Sequence, residues 1–417
     1  MLSVRNLFFI VLFSAAPFLN AQSIRERLEQ IPGAIVRTLS NSNFKEYYEL
    51  LLDQPLDHNN PSKFFRQRVI VGISSIDSAV VMDTDGYAVN YALNTNYKHE
   101  LASLLNANLV LVEHRFFGHS APDSMDYNFL TTEQAAEDVH LVRHLLTRVF
   151  NGKWISTGIS KGGQAALAHR LHYPADVSLT IVYGAAVKKA LNETKVDSML
   201  NALSGTTCGK KLENFQSELF AHKDALIHSL EMYAKKNEMV FGMDPETVLD
   251  YMILELPFSF WQTGCNCNDV HLLSKEPVVL FEGLVNIISP SFYSVKSMKQ
   301  LQPAFYMNYH ELGYYEYNIK KFRPKLKQKA YPNSRFAPGI KISFDNSYLT
   351  ALGKFLATAD AGQVVFIYGE NDPWSAMQQT GRAKKFIVKN GSHKSRITDL
   401  STEQKDRLLD MISKQLR

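Results

Sequence analysis

The chain has 417 residues, 45% of them hydrophobic, with 21 glycines and 15 prolines, which excludes a disordered, collagenous or disulfide-framework protein. Its 45 basic and 41 acidic residues leave a net charge of +4 with no basic stripe, so nucleic acid is not an expected partner. The length suits one large domain carrying an insertion, or two domains.

Residues 1–21 read as a signal peptide. Arg5 is the one basic side chain, 7–13 is an unbroken apolar run, and Leu19-Asn20-Ala21 offers a cleavage site. The run is too short to span a bilayer, and no later stretch comes near the about eighteen apolar residues a span requires. The expectation is an exported chain, periplasmic or secreted, with no membrane span after cleavage.

Residues 23–30 predict a short charged helix ended by Pro32-Gly33, and 47–52, 66–71 and 79–82 predict strands. The loop Asp83-Thr84-Asp85-Gly86-Tyr87 is either an ordinary turn or, through Gly86, the source of a backbone amide for an oxyanion. A helix over 97–107 and a strand over 109–112 run into Glu113-His114-Arg115, which either braces the sheet top as a buried ionic cluster or lines a substrate cleft. A long amphipathic helix over 131–148 follows, with Thr132 as its N-cap.

The next stretch organises the chain. Residues 154–157 are short and apolar, as in a buried strand, and Ala165, Ala166, Leu167, Ala168 and Leu171 read as a packed helix. Between them Gly158-Ile159-Ser160-Lys161-Gly162 has the G-x-S-x-G form of a nucleophile elbow. A serine at such a corner leaves no room for neighbouring Cβ atoms, and the Lys161 amide at the first helical turn points where an oxyanion would form. The Lys161 side chain is expected in solvent, the alternatives being to lower the serine's pKa or to meet a substrate carboxylate.

A strand over 179–183 completes an alternation that implies a mostly parallel sheet covered on both faces. From residue 187 the alternation stops. Residues 210–236 are helical in period, Asp244-Pro245-Glu246 opens another helix, and aromatic-rich helical material continues to about 354. Strands return at 364–368 and 385–388, and 402–415 closes the chain as a helix. The expected division is therefore a signal peptide at 1–21, a core from 22–187, a helical cap at 188–355 and the rest of the core at 356–417.

A serine hydroxyl needs a base, and the base needs an orienting acid. On this kind of sheet they follow in the order serine, acid, histidine, on loops after late strands. Asp372, in Gly369-Glu370-Asn371-Asp372-Pro373-Trp374, is the expected acid; Glu370 is the alternative, and a plain helix N-cap is the other role open to Asp372. His393 is the one histidine of thirteen that follows this loop, so it is the expected base. Cys208, Cys265 and Cys267 fall short of a four-ligand metal set, and neither a metal nor a cofactor is expected. In an oxidising compartment Cys208 pairs with Cys265 or with Cys267, and the sequence leaves that choice open.

Taken together, Glu113-His114-Arg115-Phe116-Phe117-Gly118-His119-Ser120, the elbow with Gly163, Glu311-Leu312-Gly313-Tyr314-Tyr315, Asn371-Asp372-Pro373-Trp374 and Gly391-Ser392-His393 resemble the exported proline-specific serine peptidases of family S37, the prolyl tri- and tetrapeptidyl aminopeptidases. They are similar more distantly to the S28 group of prolyl carboxypeptidases and dipeptidyl peptidases, whose members usually carry an aromatic residue where Lys161 stands. The resemblance implies an α/β-hydrolase fold with a helical cap, cleaving after proline near the free N-terminus of peptides. It carries over Ser160 as nucleophile, Asp372 as orienting acid and His393 as base.

Phe258, Phe260, Trp261, Tyr314, Tyr315 and Trp374 suit the walls of a proline pocket, because the proline ring is rigid, apolar and without an amide hydrogen. Glu311, Glu316 and Glu113 are the candidates to meet an α-ammonium, and Arg115 joins Glu113 if that cluster lines the cleft. The rival functions are an esterase or acyl hydrolase on the same fold and a non-catalytic binding module. An aromatic, charged cap argues against the first, and an intact serine, aspartate and histidine against the second.

Overall fold

The computed structural model describes residues 22–417, so the expected signal peptide lies outside the described residues. Strands β1 (Ile35–Leu39), β2 (Glu46–Pro55), β3 (Phe64–Ile73), β4 (Val80–Thr84), β5 (Asn108–Val112), β6 (Trp154–Ile159), β7 (Leu179–Tyr183), β8 (Val364–Gly369) and β9 (Lys384–Val388) form one sheet in the order β1-β2-β3-β5-β4-β6-β7-β8-β9. The three pairings at the β1 end are antiparallel, and those from β5 to β9 are parallel. This is an α/β-hydrolase sheet. Strands β4, β5, β7 and β8 are buried at every position, which is why each is mainly apolar in sequence. The edge strand β1 escaped the sequence reading because most of its side chains face solvent.

Helices cover both faces. α1 (Ile24–Glu29) packs beside β1, and α2 (Glu100–Leu105) precedes β5. α3 (Thr132–Leu146) and α4 (Lys161–His172), the elbow helix, pack against each other. The N-cap of α3 is Thr131, not Thr132: the Thr131 hydroxyl accepts the Gln134 amide at 3.1 Å, which frees the Thr132 amide to donate to Glu311 at 2.7 Å.

Between β7 and β8 the chain leaves the sheet for α5 (Lys195–Ser204), α6 (Thr207–Ala221), α7 (Lys223–Lys236), α8 (Pro245–Thr263), α9 (Pro277–Ile287) and α10 (Val295–Met307). The single helical period over 210–236 is two helices broken at His222, whose backbone leaves the helical region. These helices share a core of their own, built from Phe215, Leu219, Leu230, Leu256 and Phe305 among others. α11 (Ser347–Leu356), placed in the cap by the sequence reading, packs Leu349 and Leu352 with Ala166 and Leu167 of the elbow helix instead. It belongs to the helix layer of the core, so that layer resumes before residue 356. α12 (Thr402–Leu416) buries Leu408 and Ile412 against the opposite face.

A disulfide joins Cys208 at the start of α6 to Cys267 beyond α8, with Cα atoms 5.4 Å apart, and Cys265 is free. Among the described residues no helix is long and apolar enough to cross a membrane.

Candidate active site

The elbow forms because three backbones meet with no space between them. A Cβ on Gly158 would come within 2.3 Å of the Gly162 carbonyl oxygen, and one on Gly162 within 2.6 Å of the Thr84 carbonyl oxygen. The Thr84 hydroxyl then donates to the Gly162 carbonyl at 2.9 Å, tying the end of β4 to the first turn of α4. Ser160 is held at φ +56°, in the left-handed region that a side chain other than glycine rarely enters without being over-determined by its surroundings. Its amide donates to the Tyr183 carbonyl at 2.8 Å, so the serine sits at the end of β7 as well as β6.

His393 reaches the same place from the other side. Gly184, directly after Tyr183, lies so close to the imidazole that a Cβ there would stand 2.7 Å from its Cε1. The Nδ1–H of His393 donates to Asp372 Oδ2 at 2.7 Å. Asp372 is fully buried, and its other oxygen accepts the Trp374 amide at 3.1 Å, so it caps the short turn over Pro373–Met377 and orients the histidine at once. The N-cap contact weighed in the sequence is present, and the same carboxylate also faces the histidine. Glu370 is turned away, its carboxylate accepting the Asn390 amide at 2.8 Å. The Ser160 hydroxyl makes no hydrogen bond among the described residues, so the serine–histidine link is open in this structure. Such links are commonly long before substrate binds.

Gly86 lies against the Lys161–Gly162 backbone, where a Cβ would fall 2.7 Å from the Gly162 nitrogen. The neighbouring Tyr87 amide is engaged by Asp85 at 2.7 Å, whereas the Gly86 amide has no acceptor among the described residues. The expectation that Lys161 is solvated is overturned. It is 6% exposed, its Nζ has no hydrogen-bond partner, and it stands 5.1 Å from the Phe117 ring centroid and 5.8 Å from that of Tyr87. Burial pushes its ammonium down to about 7, against a partial opposing pull from Asp85. Lys188, which the sequence reading did not single out, is buried 5.4 Å from the Trp374 ring centroid and is likewise lowered to about 7 by burial. It donates to the Gly313 carbonyl at 2.8 Å.

Ser160, Lys161 and Lys188 open on a cavity of about 360 Å³ roofed by the cap. Of the expected aromatic walls, Tyr314, Tyr315 and Trp374 line it together with Phe258. Phe258 stacks on Tyr315 at 4.2 Å and meets Trp374 edge-on at 5.3 Å. Phe260 is cap core, and Trp261 lines a separate cavity of about 250 Å³ behind the Phe258–Tyr315 wall.

The charged candidates go elsewhere. Glu113 and Arg115 are fully buried away from the cavity, Glu311 is spent on the Thr132 amide, and Glu316 accepts from the Tyr309 hydroxyl at 2.6 Å and the Asn333 amide at 2.9 Å. The carboxylate that does line the cavity is Glu255, which the sequence reading missed. Its one signal was an acid inside the apolar run Ile253-Leu254-Glu255-Leu256-Pro257-Phe258. The cap also holds the catalytic loop directly: the Gln262 carbonyl accepts the His393 amide at 3.0 Å.

A family model described as PS-10 peptidase S37 matches residues 18–413. The prolyl tri/tetrapeptidyl aminopeptidase of Streptomyces mobaraensis is 26% identical over 399 residues, which is 92% of this chain and 82% of that one. The lysosomal Pro-X carboxypeptidase of Homo sapiens is 34% identical over 148 residues, 31% of this chain and 30% of that protein. The thymus-specific serine protease of Homo sapiens is 30% identical over 122 residues, 27% of this chain and 24% of that one.

Proposed function

The chain belongs to peptidase family S37, and on that premise we propose that it is an exported serine exopeptidase releasing short Xaa-Xaa-Pro peptides from free N-termini. The observation that carries the reading is the Asp372–His393 pair brought against Gly184 beside a strained Ser160, under an aromatic roof. Asp372 fixes the imidazole with Nδ1 protonated, which leaves Nε2 to take the Ser160 proton once a side-chain adjustment closes that link. The hydroxyl attacks the prolyl carbonyl. The Lys161 amide and the Gly86 amide hold the developing oxyanion, and water then releases the acyl-enzyme.

The pocket chemistry supports proline as the residue ahead of the cut. Phe258, Tyr315 and Trp374 offer faces and edges to an apolar ring and ask for no amide hydrogen. Export is supported by the expected signal peptide, and the Cys208–Cys267 bridge suits an oxidising compartment.

The test is a fluorogenic Ala-Ala-Pro amide beside its N-acetylated form and p-nitrophenyl butyrate, with fluorophosphonate labelling of Ser160 as the control for a working nucleophile. Faster cleavage of the free amine is expected. Equal or reversed peptide rates sink the aminopeptidase reading, and a preference for the butyrate moves the chain to the acyl hydrolases.

A further inference from the structure

Glu255 is a carboxylate without a cation. It sits on α8 inside the cap, and no lysine, arginine or histidine lies within ion-pairing distance of it among the described residues. Its partners are hydroxyls: Tyr315 donates to Oε2 at 2.7 Å and Ser259 to Oε1 at 2.8 Å. A buried carboxylate held only by neutral donors keeps much of its desolvation penalty, which a cation placed beside it relieves. Burial accordingly holds its carboxyl above the usual carboxylate range. The side chain is partly accessible, and it lines the same cavity as Ser160.

Its position relative to the aromatic wall sets a length. The Tyr315 ring packs 5.7 Å from Trp374 and 4.2 Å from Phe258, while its hydroxyl reaches Glu255. A proline ring seated on that wall thus lies about one tyrosine away from the carboxylate. Two further residues in extended conformation span about 7 Å, the same order of separation. Near the nucleophile the cavity is lined instead by Lys161 and Lys188, which repel an ammonium whenever they are protonated and offer it no anion.

We propose that Glu255 is the acceptor for the substrate's free α-ammonium, fixing where the N-terminus sits and so how many residues precede the cut. This rests on the aminopeptidase reading above. The test compares wild type with E255Q on Ala-Ala-Pro and acetyl-Ala-Ala-Pro fluorogenic amides. E255Q should lose about 10- to 100-fold in kcat/KM on the free amine, mainly through KM, the worth of a charge-assisted hydrogen bond. The acetylated substrate should change less than about threefold, so the ratio between the two collapses toward one.

An unchanged ratio in an E255Q enzyme that still labels with fluorophosphonate overturns the assignment and leaves the peptidase standing. Failure of wild type itself to prefer the free amine defeats the underlying reading instead. Should E255Q not fold, E255D keeps the charge but draws it back by one methylene. Its relative kcat/KM for tetra- over tripeptidyl substrates should shift at least about threefold, and an unchanged preference overturns the assignment.

Discussion

Two buried charged regions lie on either side of the end of β4, and they are built on opposite terms. In the first, Arg115 and Glu113 are each partnered entirely from within. Arg115 donates to both oxygens of Asp138 at 2.7 Å and to the carbonyls of Pro55, Leu56 and Phe129, using all five N–H bonds of its guanidinium. Glu113 accepts from the Val89 and Ser120 amides, the Ser120 hydroxyl and Arg68. In the second region, the cavity, Lys161 Nζ and Trp374 Nε1 have no partner and Glu255 has only hydroxyls. A saturated cluster has nothing left to offer a ligand. An unsaturated one keeps its desolvation penalty until something binds.

The comparison is broken most forcefully at the catalytic loop. Under the proposed relay, D372N leaves the His393 ring in place but removes the charge that selects its tautomer. A loss of about ten-thousand-fold in kcat is expected, the size seen when a triad loses its orienting acid. The unfolding midpoint in urea should move little, because the substituted amide side chain keeps an oxygen to accept the Trp374 amide. A collapse of stability with activity surviving in the folded fraction would make Asp372 a structural residue of the first kind.

Arg115 should behave in the reverse manner. R115M strands the Asp138 carboxylate in the interior with His58 as its one remaining side-chain partner, at 2.7 Å. Removing one member of such a pair typically costs about 3 to 5 kcal/mol, read from urea unfolding. The kcat/KM of the folded protein should stay within a few-fold. A selective rise in KM with stability intact would return Arg115 to the substrate cleft.

The difference between the regions also explains how much the sequence disclosed. β2 to β9 were legible because each contains a short, mainly apolar stretch bounded by polar or turn residues. Ser160, Asp372 and His393 were legible because chain order and strand ends constrain them together. Which of the two roles Glu113 and Arg115 take was left open, since the partners of Arg115 come from Pro55, Phe129 and Asp138 and those of Glu113 from Arg68, Val89 and Ser120, most of them distant in the chain. Glu255 and Lys188 looked like ordinary charges on a helix and a loop. Their meaning depends on the cap folding back over β7 and β8, and no local pattern encodes that closure. Trp261 was misplaced for a related reason: Phe258 and Trp261 lie one turn apart on α8, yet only Phe258 lines the cavity with Ser160.

The smallest expected effect sharpens the contrast by acting on stability alone. Lys161 and Lys188 are each lowered to about 7 in the folded chain, against 10.5 as the ordinary value. Below pH 7 both states hold these protons and the burial penalty is complete. Between 7 and 10.5 the unfolded chain binds more protons than the folded one, so stability rises with pH, by up to about 1.4 kcal/mol per pH unit for each group. K161M replaces one of the two with an unbranched side chain that suits the Phe117 and Tyr87 rings. It should therefore be more stable than wild type at pH 7, by on the order of 1 to 3 kcal/mol, with a shallower rise between pH 7 and 9. That window stops short of the range where the buried tyrosines begin to ionise in the unfolded chain. Because the proposed oxyanion donor at this position is the backbone amide, turnover should persist. Equal stability and an equal pH slope in K161M would mean that the Lys161 ammonium is solvated after all, and that the cavity's charge is less unsatisfied than the comparison with Arg115 requires.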